Sequence, residues 1–239
     1  AHAEELGSLI EILKSGIVTS ISGFQYKLND DAKCDILAAT WRVLGVNQSA
    51  QRVFGEATGF SLLLTMFPSL QSGAEDDDGQ SPLTIHMKLF CFLLRVITAG
   101  VCNNAINRIS LHAIISSQTF SDLLNESGLI CVDYEREVIQ LLLELALEIV
   151  LPPSFIVTMQ QEESVPIPKI IELGDSGYLI SSSSGNDRLD KDRVYNAGAV
   201  VVLIRSLLLF TPKLQLELLN FIEKLAHGAS FNQENLTFI

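Results

Sequence analysis

Apolar residues recur every three to four positions through most of this chain, the spacing of a helix that buries one side. Leu6, Leu9, Ile10 and Leu13 share a face, which predicts a helix over Glu4–Lys14, broken by Gly16. Asp30 or Asp31 is placed to cap a second helix that carries Cys34, Leu37, Ala38, Trp41 and Leu44 and ends at Gly45. Asn47-Gln48-Ser49 opens a third, with Ala50, Val53 and Phe54 inside. Gly55 and Gly59 bracket a tight corner, and an apolar run from Phe60 to Phe67 follows, up to Pro68.

Ser72–Gln80 reads as a loop, and Ser81-Pro82 as a helix start, because proline at the first helical position loses no hydrogen bond. A long helix is expected over Leu83–Ala99, with shorter ones over Asn103–Ile115 and Thr119–Leu124. The helix expected over Tyr134–Leu151 is apolar nearly all round, so neighbours must cover it on several sides, Leu142, Leu145 and Ile149 among its buried residues. Pro152-Pro153 ends it. Residues 152–192 lose the helical period and carry the run Ser181–Ser184; Phe155-Ile156-Val157 and Tyr178-Leu179-Ile180 are β-prone within them. The period returns at Val194, with helices over Gly198–Leu209 and Pro212–His227. Val200, Leu203, Ile204 and Leu207 line the inner face of the first. Leu214, Leu218, Phe221, Ile222 and Leu225 line that of the second.

This order predicts an all-α fold, an armadillo/HEAT-like α-solenoid with one long irregular insertion. Residues 1–151 form helical repeats, 152–192 a long, partly disordered loop, and 193–239 continue the same solenoid. Small polar turns at Gly59, Gly128 and Gly198, 69 and 70 residues apart, suggest a degenerate repeat. Each unit leaves an apolar face that stacking covers.

Composition narrows the function. The chain has 239 residues, 48% of them hydrophobic, and no uninterrupted apolar run reaches the ~18 residues of a membrane span. Sixteen basic residues against 28 acidic ones give a net charge of −12, the wrong field for tracking phosphates or an anionic membrane. Cys34, Cys91, Cys102 and Cys131 are scattered without a CxxC pair, as reduced structural thiols are. No G-x-S-x-G elbow, Walker loop or HExxH helix is present, and His2, His86, His112 and His227 lie far apart. Glu75–Asp78 lacks the alternating ligands of a calcium loop and reads as a solvated acidic loop. Trp41 and the strings Phe67-Pro-Ser-Leu70 and Phe120-Ser-Asp-Leu123 read as core rather than as docking peptides. The expectation is no catalytic residue, no cofactor and no metal; the partner-binding residues stay open. The unsigned start and the apolar end suggest a chain cut from something longer.

Three stretches go beyond a generic repeat: Gln51–Phe60 (QRVFGEATGF), Leu207–Glu217 (LLLFTPKLQLE) and Phe231–Thr237 (FNQENLT). They resemble the helical, armadillo-like region of BEACH-domain proteins of the ALFY and SPIRRIG type, the WD-repeat and FYVE-domain branch. The resemblance spans about Ala32–Leu70 and Val194 to the end well, is weaker between, and is absent from the loop. It implies a non-catalytic scaffold segment that binds other proteins in membrane trafficking, endosomal sorting or selective autophagy. It further implies a cytoplasmic place, peripheral on endosomes or autophagic structures through other domains. The alternative is a regulatory helical domain controlling a catalytic part elsewhere in the same polypeptide.

Overall fold

The computed structural model describes residues 2–19, 25–71, 82–130, 135–148 and 194–228. Ten α-helices account for most of them: α1 (His2–Ser15), α2 (Asp30–Val46), α3 (Gln48–Glu56), α4 (Gly59–Met66), α5 (Pro82–Val101), α6 (Ala105–Ile114), α7 (Ser117–Glu126), α8 (Glu135–Leu147), α9 (Ala197–Arg205) and α10 (Pro212–Gly228). Short 3-10 turns follow α4 (Phe67–Gln71) and α9 (Leu207–Leu209). The all-α expectation holds, with one small exception. Ile17–Thr19 (β1) and Gln25–Lys27 (β2) pair antiparallel, Val18 opposite Tyr26. Both proposed β-prone stretches, the Glu75–Asp78 loop and the 152–192 insertion lie outside the described residues.

Side-chain caps set many of the helix starts. Asn29, Asn47, Asn104, Ser116 and Asn196 each accept from the amide three residues on, at 2.9–3.1 Å. Such a contact satisfies an amide that has no partner within the helix. The cap of α2 is therefore Asn29. Asp30 and Asp31 fall in its first turn, where their charge still suits the helix dipole. The corner between α3 and α4 turns at Thr58, at φ 62°, while Gly55 sits inside α3.

The long helices lie in sequence order: α2 packs along α5, and α5 along α8. Their first residues, Asp30, Pro82 and Glu135, lie 52 and 53 positions apart. The shorter helices follow the same order, α3 against α6, and the turn after α4 against α7. Thus the spacing of about 70 residues read from the glycines is not the spacing of the layers. Gly59 opens α4 and Gly198 lies in α9, but Gly128 is in the turn that follows α7, at φ 68°.

One apolar core runs through these layers. Leu37, Leu44, Phe54, Phe60, Phe67, Phe90, Leu93, Leu142, Leu145 and Leu203 are each within 1% of full burial. Of two edge-to-face ring pairs, Phe54–Phe60 at 5.1 Å joins α3 to α4 within the first layer, and Phe67–Phe90 at 5.8 Å joins that layer to α5. Helix α9 packs on both α7 and α8, with Val200 and Leu203 buried. Ile204 is 37% exposed and does not belong to that inner face. Helix α8 stops at Leu147 rather than Leu151. Glu148 turns into the left-handed region at φ 53°, and Ile149 lies outside the described residues.

Candidate interaction surfaces

Buried polar residues are where chemistry would hide in such a stack, so their partners decide the question. The first group is a carboxamide junction where four helix ends meet. Gln51 Nε2 lies 3.1 Å from the Leu44 carbonyl, 2.8 Å from Ala99 and 3.2 Å from Cys102, all at helix C-termini. Its Oε1 accepts from Asn104 Nδ2 at 3.3 Å. Asn107 Nδ2 donates to the Gln51 carbonyl at 2.7 Å and to Gly100 at 2.8 Å. Helix ends leave carbonyls without intrahelical partners, and these two amides satisfy them away from water. Gly55 makes the close approach possible: a Cβ there would lie 2.3 Å from Asn107 Oδ1. The junction is structural and complete.

The second group clamps the ends of the 149–193 segment. Arg108 on α6 grips Glu148 with Nε to Oε1 at 2.6 Å and Nη2 to Oε2, and its guanidinium lies 4.2 Å over the Tyr195 ring. Burial pushes the Glu148 carboxyl up, against the opposing pull of Arg108. The same hydrogen bonds raise Arg108 in turn. The amides of Tyr195 and Asn196 both donate to the Ala146 carbonyl, at 2.8 and 3.2 Å. Chain that leaves at Glu148 and chain that returns at Tyr195 are thus bonded to each other at the end of α8.

A third group lies between α2, α5 and α8. Glu144 is 5% exposed and accepts from Gln140 Nε2 at 2.9 Å. Arg95, equally buried, faces it and stacks 5.5 Å from the Trp41 ring. Desolvation dominates over Arg95 and lifts the Glu144 carboxyl from 4.5 to about 7.

Two further contacts seat the last helices. Arg205 Nη1 reaches Asp122 at 2.7 Å and its Nη2 reaches Gln118 at 2.9 Å, tying α9 to α7. Glu135 accepts from the Thr211 amide at 2.7 Å and from its hydroxyl at 3.0 Å, fixing the start of α10 on α8.

None of these groups sets a nucleophile beside a base. Burial pushes the thiols of Cys34 and Cys91 up to about 12, which keeps them protonated and poorly nucleophilic. Cys131 lies outside the described residues. His86 sits 3.9 Å from Asp30, and His112 on α6 is hydrogen-bonded to the Tyr195 backbone beside Arg108, where partial burial and the neighbouring guanidinium hold its imidazole below the usual range. Among the described residues, no three His, Cys, Asp or Glu side chains converge as metal ligands. Trp41 is 3% exposed and belongs to the core. So do Phe67, Leu70 and Phe120, in a 3-10 turn and on α7; neither string is an extended strand-adding peptide.

The exposed surface also carries large apolar side chains. Ile106 and Ile109 on α6 are each 70% exposed, and Ile114 at its end is also in water. Near the chain's end Leu208, Leu209, Leu216 and Leu219 are exposed. Sequence periodicity found the buried faces but not these, because outward leucines and isoleucines look the same in sequence as inward ones.

Curated proteins that match the chain include two of Arabidopsis thaliana. Protein SPIRRIG is 58% identical over 238 residues, all of this chain and 6% of the relative. BEACH domain-containing protein A2 is 58% identical over 236 residues, 99% of this chain and 6% of its own length. The likeness therefore also runs through the 152–192 segment, where the matching motifs are absent. The chain spans about one-sixteenth of the relatives it matches. No protein-family signature matches the chain, and no solved structure does.

Proposed function

The chain is homologous along its whole length to one region of BEACH-domain proteins, and from that premise we propose that it is a non-catalytic scaffold segment, an armadillo-like stretch of α-solenoid within a large protein. The observation that supports the reading best is the side-by-side order of α2, α5 and α8, with the shorter helices following it layer by layer. Stacked helical layers expose extended surfaces to partners, and their polar interiors serve the stack. The carboxamide junction and the Arg108–Glu148 clamp fit that division, since each is occupied in joining helices. The setting we propose is cytoplasmic, in membrane trafficking, endosomal sorting or selective autophagy. Attachment to membranes would come from other domains: among the described residues no single helix is long and apolar enough to cross one.

The test is quantitative co-purification with the full-length protein, wild type against Ile106→Asp with Ile109→Asp. Both side chains are 70% exposed, so the fold should survive the change. The scaffold reading predicts that a defined subset of co-purifying proteins falls by about tenfold, the equivalent of losing about 1.4 kcal/mol of binding, at unchanged expression. An identical set of partners would contradict a binding role for α6.

A further inference from the structure

Thr211 stands just before α10, and its carbonyl accepts from the Gln215 amide at 2.9 Å, which puts its side chain at the cap of that helix. The side chain reaches across to α8: its hydroxyl donates to Glu135 Oε1 at 3.0 Å, while its amide donates to Oε2 at 2.7 Å. One threonine thus supplies two donors that hold a carboxylate of α8 to the start of α10. The joint lies at the surface. Leu208, Leu209, Thr211, Pro212 and Lys213 are exposed, and of residues 208–213 Phe210 alone is buried. The residue after the hydroxyl is proline, which has no amide N–H to donate. Protein kinases of the proline-directed class select a Thr-Pro dipeptide, because their site for the following residue is apolar and offers an amide no acceptor.

We propose that Thr211 is a phosphorylation site for a proline-directed kinase, and that the phosphate releases α10 from α8. The γ-phosphoryl group of ATP passes to Thr211 Oγ1, the hydroxyl proton leaves to the kinase's catalytic base, and ADP departs. The product has no hydroxyl to donate, and it sets a charge of about −2 against the Glu135 carboxylate. The positive end of α10 favours the phosphate where it stands, so the repulsion falls on the bond to Glu135. A helix of 17 residues without its layer is marginal in water, and release therefore shows as faster exchange of its amides. Beyond the scaffold role, the last described helix gains a covalent control.

The full-length protein is incubated with magnesium-ATP and a proline-directed kinase, and peptide mass spectrometry locates the phosphate. Thr211 should be modified in the folded protein. Hydrogen exchange across α10 then reads the joint. It should run about tenfold faster in the phosphorylated protein, stay unchanged by the same treatment in Thr211→Ala, and leave α2 alike in every sample. In Glu135→Gln no charge opposes the phosphate, and the acceleration should fall below about twofold. Absence of phosphate from Thr211 in the folded protein would overturn the site, whether or not a peptide of residues 205–217 accepts it. A phosphorylated Thr211 with unchanged exchange, or equal acceleration in Glu135→Gln, would overturn the release. Either failure would leave the binding role of α6 untouched.

Discussion

Replacing Leu145 by alanine is expected to lower the free energy of unfolding by about 2–5 kcal/mol, the range for truncating a leucine that neighbours enclose. Leu145 is fully buried on α8, and α8 is held between α5 on one side and α9 on another. A cavity opened there faces two rigid layers that have little freedom to close it. Domains are stable by only about 5–15 kcal/mol, so the loss is a large share of the total. Urea denaturation followed by helical circular dichroism checks it. A change under about 0.5 kcal/mol would mean that α8 lies at the surface and that the layer order is wrong.

The second large effect is a dependence on pH. The Glu144 carboxyl titrates at about 7 in the folded chain and at 4.5 in the reference state. The folded state therefore holds this proton more tightly than the unfolded one. Its contribution is greatest below pH 4.5 and is lost as pH rises toward 7, with stability falling by on the order of 3 kcal/mol. The group opposite is Arg95 on α5, with Gln140 bonded to Glu144 from α8 itself and the protonated Cys91 thiol on α5 beside both charges. Glutamine at 144 mimics the protonated acid and keeps the acceptor for Gln140. Glu144→Gln should match the wild type near pH 4.5 and exceed it at pH 8. The general acidity of the chain acts on both proteins alike, so the difference between them isolates this residue. Parallel pH profiles would show that Arg95 holds Glu144 ionised throughout.

Local signals carried the helices. Pro82, the Asn47 cap and the apolar spacing of α2, α5 and α8 all act within a few residues, and each element formed where they place it. The structure departs from the local pattern where contacts from far along the chain decide. Leu147 ends α8 although Ile149 and Val150 continue its apolar pattern, because Glu148 is turned aside into the grip of Arg108, 40 residues away. Ile204 fits the inner stripe of α9 by spacing, yet it is 37% exposed. The hairpin at Ile17–Lys27 is too short, at three residues a strand, for alternation to stand out, though Ile17-Val18-Thr19 is rich in β-branched side chains. Of the interior, the carboxamide junction was illegible: Gln51 and Asn107 are 56 residues apart, and nothing local marks them as partners. The exposed faces were illegible for a different reason. An apolar residue in water and one in the core carry the same letter, and only the packing of the layers separates them.

The helices before and after residues 149–193 form a single stack, joined by α9 on α7 and α8, by Arg205 to Asp122, by Glu135 to Thr211 and by the backbone bonds to Ala146. A protease site inserted between Ser184 and Gly185 allows the chain to be cut there while native, and sizing chromatography then reads the outcome. The two pieces are predicted to co-elute at the position of the uncut chain and to part only in denaturant. Elution of the C-terminal piece as a separate species under native conditions would contradict the single stack.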